Sequence, residues 1–281
     1  MSEILHNLST NKLVTAYEEN LFSWLPLFAR LGQTCTDDPP GVKRSITDIP
    51  MSLLNSVMDP RLEPEQVQPA VERVLTDARR RKVPILWWTG PATRPTNLGE
   101  RLLGYGFELD EDGRGMALDL SRLNEDLPAP EDLVIRLAQD ESGWQAWGLA
   151  MALGFGAPLE KVEFITNIWC DLLYLANPET TLAYTAYQHG EPVATSLLKL
   201  AAGVAGIYSV ATVPEARRQG IGGRVTLYPL LQARQMGYRA GVLGSSEMGL
   251  GVYRALGFQE ICTTRSYVWR PGRNLHANHL P

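Results

Sequence analysis

Hydrophobic positions recur along this chain with two periods, and the places where the period changes mark its organisation. Residues 141–151 and 159–175 carry apolar side chains at helical spacing. The short run Leu133–Leu137 before them reads as a strand. After them the period shortens. Thr181–Tyr187, Pro192–Leu200 and Val204–Val213 are rich in Val, Thr, Tyr and Ile and are separated by His189-Gly190 and Ala202-Gly203, the signature of an antiparallel meander. Beyond the meander the pattern predicts a glycine-rich turn, a helix over about 222–236 stopped by Gly237, and a strand over 240–243. A further helix ends before Gly257, and a last strand covers 258–269. The order is that of an α/β (α+β) fold with a mixed, mostly antiparallel sheet flanked by helices.

The first half repeats the later part of this order faintly. Ser52–Met58 reads as a strand, Glu63–Lys82 as a helix, Val83–Trp88 as a strand and Leu98–Leu103 as a helix. Gly106–Leu120 reads as one or two strands with a turn at Asp112-Gly113. The Gly-Phe pairs 106–107 and 257–258 stand 151 positions apart. Two similar lobes in tandem, from a diverged duplication, account for this; a helix stop followed by a strand, arising by chance, is the alternative. Between the halves, residues 123–132 hold Asn124, Glu125, Asp126, Pro128, Pro130 and Glu131, a composition that resists helix and central strand alike. This gives an expected division into 1–122, a linker 123–132 and 133–281.

Composition narrows the classes. With 44% hydrophobic and 20% charged residues the chain is that of an ordinary globular protein. A net charge of −5 offers no general attraction to nucleic acid or to an anionic membrane, so neither is expected as a partner. Cys35, Cys170 and Cys262 are odd in number and widely spaced, which argues against a disulfide framework and a zinc site. The start of the chain lacks a signal-like apolar core, and no run of about 20 apolar residues occurs. A cytoplasmic location is expected. His6, His189, His276 and His279 are scattered or near the end, so no metal is expected either.

The chemistry concentrates in one turn. The strand Ile207–Val213 runs through Pro214 into Arg217-Arg218-Gln219-Gly220-Ile221-Gly222-Gly223 and then directly into a helix. Unpaired backbone N–H groups and the positive end of the helix dipole make such a start an anion site. Glycine permits positive φ and close backbone approach, and Arg217 and Arg218 add positive charge. No Lys-Ser or Lys-Thr follows the glycines, which excludes a nucleotide-triphosphate loop, and the preceding meander is wrong for a dinucleotide fold.

These residues resemble the GNAT superfamily of acetyl-CoA-dependent N-acetyltransferases. Its signature Q/R-x-x-G-x-G/A is met by Arg217, Gly220 and Gly222, and its Tyr-x-x-Leu-Gly-Phe by Tyr253, Leu256, Gly257 and Phe258. The resemblance implies acetyl-CoA as cosubstrate. Backbone groups of Val210, Ala211 and Thr212 would line the pantetheine arm and the thioester, and Arg217, Arg218, Gln219, Gly220, Ile221, Gly222 and Gly223 would surround the pyrophosphate. Ser246 stands where many relatives carry a CoA-contacting Asn. Tyr253 is similar to the tyrosine that protonates the departing thiolate; as a residue of a helix end it is otherwise a packing group.

The acceptor side departs from the family pattern. Some relatives place a Glu on the central strand, at a position that corresponds here to Gly206, so the general base is not identified. Glu163, Asp171 and Glu247 read as solvated helix charges. Counting back 151 positions, Leu102 answers to Tyr253 and Gln66 to Arg217, and no glycine cradle accompanies them. An N-terminal lobe without CoA binding would wall the acceptor pocket or stabilise the pair. Trp87, Trp88, Trp144, Trp147 and Trp169 either line that pocket or fill cores. Two functions stay open: an N-acetyltransferase acting on a primary amine of a small molecule or peptide, and a non-catalytic CoA-binding or ligand-sensing module.

Overall fold

The computed structural model describes residues 3–36 and 41–272. In chain order the elements are α1 (Thr10–Phe22), α2 (Leu25–Phe28), β1 (Gln33–Thr36), β2 (Lys43–Ile46), β3 (Ser56–Met58), α3 (Val67–Arg81), β4 (Ile85–Thr89), α4 (Leu98–Gly104) and β5 (Glu108–Asp119). There follow β6 (Val134–Leu137), α5 (Glu141–Gly154), α6 (Leu159–Leu175), β7 (Thr181–Gln188), β8 (Glu191–Ala201), β9 (Val204–Thr212), α7 (Ile221–Gln235), β10 (Ala240–Ser245), α8 (Leu250–Leu256) and β11 (Gln259–Trp269). From β6 onward this is the order read from the hydrophobic pattern, with element ends displaced by a few residues.

Two compact units form, and neither is a single stretch of chain. One consists of the residues up to Leu21 with Arg114–Ile261; the other of Phe22–Gly113 with the residues from Cys262 on. The structure therefore divides the chain differently from the expected 1–122 and 133–281. The physical reason lies in the long strands. In the first unit the strand order is β5–β10–β9–β8–β7–β6, with Arg114–Asp119 of β5 antiparallel to β10. In the second unit it is β1–β2–β3–β4–β11, with Arg265–Trp269 of β11 antiparallel to β4. Each unit contains one parallel pair joined through a helix, β9 with β10 across α7 and β3 with β4 across α3. In the first unit the place beside β10 is taken by β5, and in the second the place beside β4 is taken by β11.

Within the expected 106–120 the structure has one unbroken strand, Glu108–Asp119, with Asp112-Gly113 drawn out straight and Arg114–Asp119 paired to β10. Residues 52–58 are a short 3-10 turn followed by β3, not a full strand. The expected linker is irregular, as its composition demands, yet it belongs to the first unit. Asn124 accepts no helix position of its own; its backbone N–H and side-chain amide donate to the Leu256 and Ala255 carbonyls at the end of α8, at 3.1 and 2.9 Å. Glu125 pairs with Arg234 of α7 at 2.7 Å. The Asn124 bonds cap the end of α8, supplied by a passing segment, and the ion pair fastens that segment to α7.

The first unit buries apolar side chains on both faces of its sheet. On one face Leu198, Leu200, Ile207 and Leu243 meet Leu227 and Leu230 of α7 and Tyr253 and Leu256 of α8. On the other lies α5, which begins at Asp140: its carboxylate accepts from the Gly143 N–H at 2.9 Å and from the Ser142 hydroxyl at 2.8 Å. Those two bonds lower the Asp140 pKa. Helix α7 contains Pro229, which has no N–H to give the Val225 carbonyl four residues back. The buried Ser196 hydroxyl of β8 donates to that carbonyl at 2.6 Å, and the Ser196 carbonyl accepts from the Trp147 indole of α5 at 3.0 Å. One strand residue thus ties the helices on both faces.

The second unit has its own core, in which Val71, Val74 and Ala78 of α3, Ile85 and Trp87 of β4 and Leu98 and Leu102 of α4 pack with Phe107 and Trp269. Trp87 and Trp147 are fully buried core residues of their units.

Candidate active site

Strand β9 sets the geometry. It pairs in parallel with β10 only at Ala205, Gly206 and Ile207, opposite Gly241, Val242 and Leu243, and beyond Ile207 the two strands part. A bulge lies just past the parting point: against β8, Thr195 faces Ala211 and Leu197 faces Tyr208, leaving Ser209 and Val210 opposite the single residue Ser196. Ser209 adopts φ +48° to make the bulge, and the Thr195 hydroxyl donates to its carbonyl at 2.8 Å. The sequence carried no sign of this bulge. It turns the strand, so residues 208–212 border a gap instead of a neighbouring strand, and the expected trio Val210, Ala211 and Thr212 sits on that border.

At the end of β9 the chain makes one turn of 3-10 helix and enters α7, whose N-cap is Gly220 at φ +82°. The parts of the glycine-rich turn differ in what they can do. The Arg217 guanidinium donates to the Thr212 carbonyl at 3.0 Å and to the Gly154 carbonyl at the end of α5 at 2.9 Å. Its side chain fastens the turn to the strand and to α5, which differs from the expected phosphate contact. Arg218 is exposed at φ +64° and Gln219 is exposed beside Gln188. Ile221 is buried among Val213, Ala216 and Val225, so only its backbone faces outward.

The glycines also separate. A Cβ on Gly220 would run into the carbonyl oxygen of Pro128, and one on Gly223 would stand 3.2 Å from Leu127. The Pro128 carbonyl of the passing segment holds position 220 to glycine, whereas at 223 a small shift of the Leu127 side chain would make room. Gly222 is different. A Cβ there would meet only the Thr212 hydroxyl, at 3.7 Å, so this glycine faces open space at the gap. The first N–H groups of α7, the dipole behind them and a backbone open at Gly222 together fit a pyrophosphate.

Tyr253 of α8 is 8% exposed and packs edge-on to Phe258, with ring centroids 6.2 Å apart. Burial pushes its phenol up to about 12, so it keeps its proton throughout the neutral range. Its ring and the Ser245 hydroxyl at the end of β10 flank Gly249. Ser246 is exposed in the turn between β10 and α8, before the helix rather than at its start, and its carbonyl accepts from the Ser245 hydroxyl at 2.8 Å.

The face of β9 and β10 opposite α7 and α8 is covered by an element the hydrophobic pattern did not bring out. Alternate residues of a strand face opposite ways. Ile207 and Leu243 point into the core with α7 and α8, so Gly206, Tyr208 and Gly244 present the other face. There stands α1. A Cβ on Gly206 would collide with the Asn20 carboxamide oxygen, and one on Gly244 would stand 3.2 Å from the Tyr17 hydroxyl. Asn20 is fully buried: its amide nitrogen donates to the carbonyls of Lys199, Ala201 and Val204 at 3.1, 2.9 and 3.3 Å. The Tyr208 hydroxyl donates to its oxygen at 2.7 Å. The signal available in sequence was Gly206 itself, since a glycine in a central strand marks close approach by another group. Glu163, Asp171 and Glu247 are exposed.

Among the described residues no group of three or more His, Cys, Asp or Glu is arranged to hold a metal ion, and no helix is long and apolar enough to cross a membrane. His189 pairs with Asp132 at 2.8 Å on the surface, while His276 and His279 lie outside the described residues.

Residues 146–258 match the model of the acetyltransferase (GNAT) family. No curated protein sequence matches. Among solved structures, a GCN5-related N-acetyltransferase from Kribbella flavida superposes with a TM-score of 0.68 at 17% identity, over 96% of this chain and 98% of that one. One from Sphaerobacter thermophilus gives 0.59 at 18% identity, over 84% and 79%. A tandem GNAT protein from the clavulanic acid biosynthesis pathway gives 0.58 at 15% identity, over 91% and 96%. At these identities the likeness concerns the fold.

Proposed function

We propose that this chain, whose residues 146–258 match the acetyltransferase (GNAT) family model, transfers an acetyl group from acetyl-CoA to a primary amine of a small molecule or peptide. The observation that carries the reading is the parting of β9 from β10 at Ile207 and Leu243, which leads straight to the open glycine turn at the start of α7. Beyond that pair β9 has no further ladder partner on its β10 side, which leaves that backbone edge to a ligand.

Acetyl-CoA supplies an activated thioester. The α7 N-terminus and the backbone around Gly222 hold the pyrophosphate, and the backbone of Val210, Ala211 and Thr212 orients the arm and the thioester carbonyl. The amine nitrogen bonds to the carbonyl carbon, the carbon–sulfur bond breaks, and the Tyr253 hydroxyl delivers the proton that the departing sulfur takes up. The amine's own proton leaves to water, since Gly206 supplies no carboxylate.

A second reading, a CoA-binding or ligand-sensing module without turnover, is favoured by that same absence and by the filling of the space with Asn20. Calorimetric titration with acetyl-CoA tests the common premise. The intact protein should bind saturably, and Gly222→Glu, which places a carboxylate in the cradle without a backbone clash, should abolish binding. No binding by the intact protein would refute both readings.

A further inference from the structure

Helix α5 ends against the border of the gap. A Cβ on Gly154 would stand 2.8 Å from the Ala211 side chain and 3.1 Å from the Thr212 backbone nitrogen, so the last turn of α5 lies directly on β9 beyond the bulge. The Arg217 guanidinium fixes this contact by holding the Gly154 and Thr212 carbonyls together. The chain then leaves α5 through a hydrogen-bonded turn. The N–H groups of Phe155, Gly156 and Ala157 donate to the Met151, Leu153 and Ala152 carbonyls at 3.0, 2.9 and 2.9 Å, with Gly156 at φ +73°.

The two residues that flank Gly154 go to opposite sides. Leu153 packs against the cluster that contains Val193 of β8 and Val213, which is the β8 side of β9. A helix advances about 100° per residue, so Phe155, two positions on, leaves α5 about 200° further round, on the other flank. On that flank β9 has no ladder partner beyond Ile207, and the gap is open. Phe155 is 63% exposed there, and a Cβ on Gly156 would meet nothing within 4 Å, so the residues that follow turn away without covering the ring.

Resting on the acetyltransferase reading, we propose that Phe155 packs on the pantetheine arm of acetyl-CoA where the arm passes Ala211 and Thr212. The arm carries methyl and methylene groups between its amides. The backbone edge of β9 answers the amides, and an aromatic ring beside it takes the hydrocarbon out of water. A single exposed apolar side chain is ordinary on a protein surface. This one stands on backbone pinned to the border of the gap, so binding has little beyond the ring itself to order.

The test is calorimetric titration of the full-length protein, Phe155→Ala and Phe155→Leu with acetyl-CoA, and with ADP as a probe that carries the pyrophosphate and no arm. Phe155→Ala should raise the acetyl-CoA dissociation constant about tenfold and make the heat-capacity change of binding less negative. Its melting temperature without ligand should stay at the intact protein's value, because the ring is mostly exposed. Phe155→Leu, which keeps an apolar side chain, should recover most of the affinity, and ADP should bind all three proteins equally. An acetyl-CoA dissociation constant within about twofold of the intact protein's in Phe155→Ala would overturn the proposal and leave the acetyltransferase reading standing. An equal loss of ADP affinity would overturn it too, since the change would then lie in the cradle and not along the arm. Failure of the intact protein to bind acetyl-CoA would refute the acetyltransferase reading itself.

Discussion

Ser196→Ala should be costly in this protein and cheap in a Pro229→Ala background. In the native chain the Val225 carbonyl lacks a helix partner because Pro229 has no N–H, and the Ser196 hydroxyl is its donor at 2.6 Å. Ser196 is fully buried, so no water replaces the hydroxyl when it is removed. Leaving a buried carbonyl without a donor costs about 1–3 kcal/mol. With alanine at 229 the helix supplies the missing N–H, and removal of the hydroxyl then forfeits only a second bond to the same oxygen, about 0.5–1 kcal/mol. The difference between the two backgrounds should be a coupling of about 1–2 kcal/mol. Any cavity left by Pro229→Ala is common to both arms of the cycle and cancels. Urea unfolding followed by tryptophan fluorescence on all four proteins measures it, provided the m-values agree. An equal cost of Ser196→Ala in both backgrounds, within about 0.5 kcal/mol, would refute the assignment of the hydroxyl to the proline-freed carbonyl.

Three further outcomes follow from the site. Tyr253→Phe should lower kcat by about 10²-fold or more with the acetyl-CoA dissociation constant unchanged, as removal of a proton donor does; unchanged turnover in an active enzyme would assign the proton to another group. The same variant carries a stability signature. Burial raises both Tyr253 and Tyr184 to about 12, so the unfolded chain loses these protons first, and stability present below about pH 10 falls as pH rises towards 12. Tyr253→Phe should make that alkaline fall shallower in a denaturation series. Gly220→Ala should destabilise the protein even without ligand, by more than the roughly 1–2 kcal/mol of a left-handed backbone conformation, because its methyl would run into the Pro128 carbonyl. Melting temperatures within a degree of the intact protein would refute the contact.

What was legible in the sequence was whatever repeats at short range. The meander, α7 and α8 follow from hydrophobic period and from Gly237 and Gly257, and the turn at 217–223 follows from local glycine and arginine chemistry. Long-range partners were not legible. Gly220 reads as a phosphate glycine until Pro128, 92 positions earlier, is seen against it. Arg217 reads as a charge for a ligand until the Gly154 carbonyl claims it. The Ser209 bulge leaves no trace, because serine is an ordinary strand residue there and the φ of +48° is imposed by the register against β8. Helix α1 was passed over because its role is written in its partners: Asn20 matters through three carbonyls about 180 residues away.

The pairing of β5 with β10 and of β11 with β4 imposes a rule on how this polypeptide can be cut. Cleavage anywhere in 123–132 would release one fragment whose β4 has lost Arg265–Trp269 and another whose β10 has lost Arg114–Asp119. Each fragment would expose an unpaired strand at the edge of its sheet, the kind of edge that recruits other chains. A chain of residues 133–281 alone would therefore lack a strand of its own sheet, because the partner that β10 needs lies at 114–119.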